Sequence, residues 1–334
     1  MKPKRNPSRK APAAKKPTGL AVGSALRYPV RIERVFGKVL MSLTDKMIAD
    51  TEKRVLSELK AQVGFDAHDE WEIKRLSENE WQVEINGKIL GVFPTKAEAE
   101  IEKKKVKKKI QDNAKKLAAD KTVLGKKQWS TLFKQKGGEA AKQMITLTDR
   151  ESAVNVNRTL KEISKDFSLK MTFMDDPKIA KKVKGKLWEN AQKITSIPDK
   201  YHDRVVKMFV ESGARGGDMT GMTAKLMDIG DMARRQARNL SLDQTRKAYS
   251  SISAVRMEQN GMSKFQWLHS GGGANPREYH QHYAPAGLNG GIFELANPPI
   301  IDQETGERGL PGDLPNCGCT MKPIIDFDQY EDDV

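Results

Sequence analysis

The spacing of apolar residues changes twice along this chain, and those two changes bound its fold more tightly than any other feature. From Arg31 to Val63 apolar residues recur at helical spacing (Val35, Val39, Leu40, Leu43, Met47, Val55, Leu59). Asp45, Asp50 and Glu52 lie off that stripe, so one long amphipathic helix is predicted. At Trp71 the period drops towards two. Trp71–Leu76, Glu80–Ile85 and Lys88–Phe93 are short, partly alternating runs, split by Ser77–Asn79 and by Asn86-Gly87. Asn-Gly between alternating runs signals a two-residue hairpin, because both turn positions need positive φ. Thr95 then caps a helix through Ala97, Ala99 and Ile101.

Residues 112–259 return to helical texture. Trp129 and Phe133 share one face, and Thr148 or Asp149 is placed to cap a helix through Val154, Leu160 and Ile163. Segments 179–191 and 199–210 follow, with breaks expected at Pro177 and Pro198 and an end in Gly213–Gly217. The clearest helix runs from Asp231 to about Gln259, on a stripe of Ala233, Ala237, Leu240, Gln244, Ala248, Ile252 and Val255, and Asn260-Gly261 stops it. Beyond Gly261 the texture changes again. Lys264–His269 reads as a strand, Gly271–Gly273 as a turn, 285–312 as a Gly/Pro-rich loop, and Cys317–Ile325 as a closing strand. The predicted class is α+β: a mainly helical body with an inserted β-β-β-α module and a small C-terminal α/β module closed by short strands. The expected boundaries are a disordered basic arm 1–28, an N-terminal helix 29–66, the inserted module 67–111, the helical body 112–230, the C-terminal module 231–325 and an acidic tail 326–334.

The charge is distributed unevenly. Of a net +15, seven charges sit in the first eighteen residues, on Lys2, Lys4, Arg5, Arg9, Lys10, Lys15 and Lys16, with no acid among them. Pro3, Pro7, Pro12 and Pro17 keep that stretch out of helix and sheet, which makes it a candidate arm for polyanions. Seven contacts to duplex phosphates would give a log–log salt slope of about −6. Lys103, Lys104, Lys105, Lys107, Lys108 and Lys109 form a second candidate nucleic-acid contact, or a solvated helix face. No apolar run is long enough to span a bilayer and the N-terminus lacks a secretory core, so no membrane is expected. Two cysteines, one residue apart, make a poor disulfide pair and suit a reducing cytoplasm.

The inserted module, through Trp81-x-Val83, Gly91-x-Phe93 and Thr95-Lys96-x-Glu98-Ala99, resembles the small three-stranded arm-binding domains of phage integrases. That resemblance implies a sheet laid in a DNA groove; a packing or symmetry-contact module is the equal alternative.

The C-terminal third carries a longer ordered string. A helix with Asp243-Gln244-Thr245 leads to Asn260-Gly261-Met262, then Trp267 in a strand. Arg277 and His280 follow three apart, then Leu310-Pro311-Gly312, Asn316-Cys317-Gly318-Cys319 and Lys322–Ile325. In order and spacing this string resembles the Mu F-like minor head proteins, the head morphogenesis family of tailed bacteriophages, over about residues 198–325. Two positions depart from the family pattern. The acid expected before Arg277 has no counterpart in Gly273–Asn275, and Gly318 stands where an Arg separates the cysteines. The resemblance implies a virion protein of few copies that acts in head morphogenesis with portal protein and major capsid or scaffold protein. It further implies non-specific contact with packaged double-stranded DNA, a place in the phage head after assembly in the host bacterial cytoplasm, and ejection with the genome. Self-association is a further expectation, and Gln244, Trp267, Arg277 and His280 are the motif residues.

Chemistry concentrates in His280, His282, Cys317 and Cys319, the candidate metal ligands. On strands, each alternate pair would offer two ligands to a structural Zn²⁺. One-residue cysteine spacing is atypical for zinc, and a helical turn after Pro276 would make the two imidazoles diverge. Small buried thiols and a histidine bonded to a loop carbonyl are the alternative. Arg277 and His280 would share a helix face. Either they knot a long loop by hydrogen bonds, or with His282 and the cysteines they form the centre of a virion-carried metal-dependent nuclease or transferase. No acid or hydroxyl nucleophile is paired with them in sequence, so a non-catalytic role is expected. Gln244 interrupts an apolar stripe, which points to a bond with a loop backbone or to the stripe's margin.

Overall fold

In the computed structural model of the protein the described residues are 19–63, 71–85, 88–163, 177–214, 219–271 and 276–330. Most are helical and the rest include two small antiparallel sheets, the α+β class expected. The chain divides into two compact units. Pro29–Thr148 and Lys181–Ala248 form a helical unit; Met1–Tyr28, Asp149–Ala180 and Tyr249–Val334 form a sheet unit.

The helical unit opens with α1 (Val30–Val63), as the 31–63 stripe requires. Pro29 sets its start, since its carbonyl accepts the N–H groups of Ile32 and Glu33. The buried stripe is Phe36, Leu40, Leu43, Met47, Ile48 and Val55, whereas Val35 is exposed. Next come β2 (Trp71–Ser77), β3 (Glu80–Ile85) and β4 (Lys88–Phe93), an antiparallel meander with β3 central. The Asn86-Gly87 turn lies outside the described residues. Thr95 and Glu98 close a reciprocal capping box at the start of α2 (Lys96–Leu132).

Three expected breaks do not occur. The helix opened by Thr95 does not end near 111: α2, a π-turn at Phe133–Gly137 and α3 (Gly138–Ile163) follow one another without a loop. Gly137 permits the close approach there, since a Cβ on it would meet Ile194 Cγ2 at 2.4 Å. Thr148 and Asp149 do not start a helix. Both are buried inside α3, where Asp149 has a tertiary partner in Arg256. Nor does Pro198 break α4 (Pro177–Ala214), because Ile194, Ile197, Tyr201 and Val205 around it are all fully buried and packing outweighs the lost N–H. Pro177 does begin that helix. The last long helix, α5 (Met219–Gln259), starts well before Asp231 and stops where predicted: Gly261 has φ 76° and Met262 N–H reaches back to Met257 O.

In the sheet unit four antiparallel strands lie in the order β1-β7-β5-β6. β5 (Lys264–Leu268) is the predicted strand, shorter by His269. β1 (Leu20–Val22) corrects the arm's boundary. Its residues pair with Ile324–Asp326 of β7 (Thr320–Asp326), and Leu26 beyond it is buried, so the arm ends before residue 20. Three apolar residues carry too little pattern to betray a strand whose partner lies some three hundred positions away. β6 (Ile292–Glu294) falls inside the predicted loop, and the cysteines precede β7 rather than belonging to it. The start of the acidic tail is held in place, through a 3-10 turn at Phe327–Tyr330. Asp326 pairs with Lys264 at 2.9 Å, Phe327 is buried, and Asp328 accepts from the Gly19 N–H at 2.7 Å.

The inward faces of β5 and β7 (Phe265, Trp267, Met321, Ile325) pack with Val156 and Leu160 of α3 and with Tyr249, Ala254 and Met257 of α5. Between these helix segments the contacts are polar. Asp149 and Arg256 pair at 2.5 Å, 2% and 3% exposed; Ser152 meets Ser253 at 2.9 Å, and Asn155 donates to Tyr249 Oη at 2.8 Å. Removing one partner of such an ion pair strands a buried charge and should cost about 3–5 kcal/mol. Asp149→Ala is therefore expected to lower the unfolding free energy read from denaturant titration by that amount, and Asp149→Leu with Arg256→Met to restore most of it.

Candidate metal centre

The end of β5 delivers the first residue of the site. Phe265 and Trp267 point inward, and His269 follows directly, its backbone N–H held by Asn289 Oδ1 at 3.1 Å. Arg277 then N-caps a single helical turn, α6 (Glu278–Gln281), whose one buried side chain is His280. The His280 ring packs edge-on to Trp267, centroids 5.2 Å apart. Its Nε2 lies 2.8 Å from Ile301 O, and a carbonyl can only accept, so Nε2 carries the proton and Nδ1 the lone pair. Asn316, at φ 57°, turns the chain into Cys317–Cys319 just before β7.

Nδ1 of His280 is 3.6 Å from Cys317 Sγ and 3.7 Å from Cys319 Sγ. The three ligand atoms all lie within 4.8 Å of one another, and all three residues are buried, so the group can hold a metal ion. Cys319 Sγ has another neighbour, His269 Nδ1 at 3.5 Å. The cysteines also share one proton unequally. The Cys319 thiol donates to Cys317, and together with the N–H groups of Cys319 and Gly312 this holds the Cys317 thiol well below the ordinary thiol range. The Cys317 anion and burial hold Cys319 up. The buried Trp267 indole N–H is directed at Cys319 and favours its anionic form.

The structure thus brings His280, Cys317 and Cys319 together and leaves out His282. That residue C-caps α6 and is exposed: two positions apart on a helical turn, it diverges from His280 as the alternative reading anticipated. Its place beside the cysteines is taken by His269. No spacing rule pointed to His269, because it is separated from both the α6 histidine and the cysteines by irregular chain. The available signal was its position two residues beyond the inward-facing Trp267, on the same side of the strand. Arg277 and His280 do fix a loop, but each bonds a separate carbonyl, Pro315 O at 3.2 Å and Ile301 O, rather than the other. With Nε2 on that carbonyl and Nδ1 on the thiols, both His280 nitrogens are engaged, which works against general acid–base chemistry there. Gln244 is buried, and its Oε1 accepts no hydrogen bond among the described residues.

Of the candidate nucleic-acid contacts, residues 1–18, which hold every predicted arm lysine and arginine, lie outside the described residues. On α2, Lys104, Lys105, Lys107, Lys108 and Lys109 are exposed and Lys103 is half-buried. The sequence reading missed a further basic face on α4, where Lys181, Lys182 and Lys184 are exposed beside Trp188, itself 67% exposed. One face of the small sheet carries Glu72, Lys74, Gln82 and Glu84, with Lys74 2.7 Å from both acids. Two acids against one base suit a phosphate backbone badly. Among the described residues no helix is long and apolar enough to cross a membrane.

No protein-family model matches the chain, and no solved structure matches it. The chain is 27% identical over 186 residues to an uncharacterized protein of Haemophilus influenzae. The match spans 56% of this chain and only 39% of that protein, and it carries no statement of activity.

The cysteine arrangement makes a direct prediction for metal-free protein. A depressed pKa keeps the anion present below the ordinary thiol range, so one thiolate per chain should be visible by ultraviolet absorbance at neutral pH and persist well into acid solution. Cys317→Ala should abolish that signal; an absorbance that rises only near 9.0 in the unaltered protein would contradict the assignment.

Proposed function

We propose that the protein is a minor head protein of a tailed bacteriophage, of the Mu F-like kind its C-terminal string resembles. It contacts portal protein and major capsid or scaffold protein during head assembly and binds packaged double-stranded DNA without sequence preference. It resides in the virion and assembles in the bacterial cytoplasm. The His280, Cys317 and Cys319 group serves this module as a structural zinc holder.

One observation supports this reading above the others: the scattered pieces of the string have a common physical purpose. Trp267, His280, Cys317 and Cys319 pack into one buried cluster, and the Gly312 N–H is directed at Cys317. Gly312 itself, at φ 92°, sits where a Cβ would meet Tyr28 Oη at 2.2 Å. Residues whose spacing looked arbitrary are those that close one core. DNA contact is supported by the exposed lysines of α2 and α4 and by Trp188, whose ring offers a stacking surface among cations.

Mass spectrometry of purified particles, induced from a lysogen that encodes this chain, tests the assignment. The protein is expected at a few copies per portal; its absence from intact particles would overturn the reading. In mobility shifts the purified protein should bind duplexes of unrelated sequence equally, with affinity falling steeply as salt rises. Deletion of residues 1–18 should weaken binding most, and Lys181→Glu with Lys184→Glu should weaken it further. Binding that is unchanged by both would remove DNA from the partners.

A further inference from the structure

We propose that His269 is the fourth ligand of a closed tetrahedral Cys2His2 zinc centre, completed by His280, Cys317 and Cys319, with both histidines binding through Nδ1. This rests on the structural-zinc reading above and extends it to a coordination set.

Distances carry the argument. Zn–S bonds of about 2.3 Å and Zn–N bonds of about 2.1 Å at tetrahedral angles place sulfur and nitrogen ligands about 3.6 Å apart. The three sulfur–nitrogen separations described here are 3.5 Å (His269 Nδ1 to Cys319), 3.6 Å (His280 Nδ1 to Cys317) and 3.7 Å (His280 Nδ1 to Cys319). S–H···N hydrogen bonds fall in the same range, so it is the convergence of two imidazoles and two thiols on adjoining edges of one coordination polyhedron that points to a metal. His269 is outside the group whose ligand atoms are all mutually within 4.8 Å, so closure needs its ring to swing inward about Cys319. It is half-buried, at the mouth of the site, where a side chain retains that freedom.

The surroundings are those of a metal centre. The Nε2 proton of His280 is fixed on Ile301 O, which holds the ring in the tautomer and orientation that aim Nδ1 at the sulfurs. Backbone N–H groups of Cys319 and Gly312 are directed at Cys317 sulfur, and that of Ser270 at Cys319 sulfur, the donors two thiolates need. Two thiolates and two neutral imidazoles leave a Zn²⁺ complex with no net charge, which avoids the cost of burying an ion. All four positions are then filled by protein, so the centre is structural and has no open site for a substrate. It ties the α6 turn, which belongs to neither a sheet nor a long helix, to the paired ends of β5 and β7.

The test uses the full-length protein purified with its native metal. Elemental analysis should find one zinc per chain, and X-ray absorption should find two sulfur and two nitrogen neighbours. His269→Ala should lower zinc affinity at least about tenfold in chelator competition and alter the tetrahedral cobalt spectrum, while His282→Ala changes neither. His269→Cys should restore tight binding with a more thiolate-rich spectrum, which separates loss of a ligand from loss of fold. Zinc held with full affinity and an unaltered cobalt spectrum in His269→Ala would overturn the assignment of His269 and leave a structural zinc standing. Protein that neither contains zinc nor takes up added Zn²⁺ or Co²⁺ would overturn both.

Discussion

The sheet unit depends on how a largely irregular stretch, His269–Cys319, is pinned from inside. Only β6 within it joins a ladder and turn hydrogen bonds satisfy part of the rest, while a buried unpaired carbonyl costs about as much as a lost hydrogen bond. Side chains from distant positions meet that need. Ser250 Oγ donates to Pro311 O at 2.5 Å, and Tyr28 Oη lies 2.6 Å from Cys319 O and 3.0 Å from Pro311 O. His280 holds Ile301 O and Arg277 holds Pro315 O. Every one of these pins reaches a carbonyl of the irregular chain. That is why a module with short strands and one helical turn can still bury Trp267 completely.

A second layer of polar contact lies where α3 and α5 meet in the same unit. A wholly apolar seam of small and aliphatic residues would allow the helices to slide by a turn. The Asp149–Arg256 pair, the Ser152–Ser253 contact and the Asn155–Tyr249 bond are each satisfied in a single register. The helical unit uses the same device more sparingly. There Trp129 Nε1 donates to Asp50 at 2.8 Å and Arg246 to the buried Glu33 at 2.9 Å. Where the charged partners are buried, as at Asp149–Arg256 and at Glu33, the bond is confined to one arrangement and acts on specificity more than on net stability.

Positive charge is sorted by surface. The lysines of α2 and α4 are exposed in runs, whereas Lys74 of the small sheet is neutralised by Glu72 and Glu84. That face of the meander is therefore not basic, and the exposed Leu76, Ile89 and Val92 of the small sheet suit the packing alternative. Polyanion contact, in the reading favoured here, belongs to the helices and to the N-terminal arm. The metal centre takes no part in it.

The sequence by itself determined the class, the meander, the start of α1, the capping box at Thr95 and the stop at Asn260-Gly261. All of these are local: a period, a cap or a positive-φ turn is written within a few neighbouring residues. It also marked His280, Cys317 and Cys319 as the chemically distinctive residues, since few side-chain types bind metals. Tertiary structure alone decided the rest. It carried helix through Thr148, Asp149 and Pro198, because buried partners and packing outweighed local breaking signals. It added Leu20–Val22 to a sheet through a strand at the other end of the chain. It also exchanged His282 for His269, because a helical turn points alternate residues apart, whereas folding brings the end of β5 beside the cysteines. Which residues share a site is a matter of three-dimensional distance, and spacing along the chain records that only when both residues lie on one regular element.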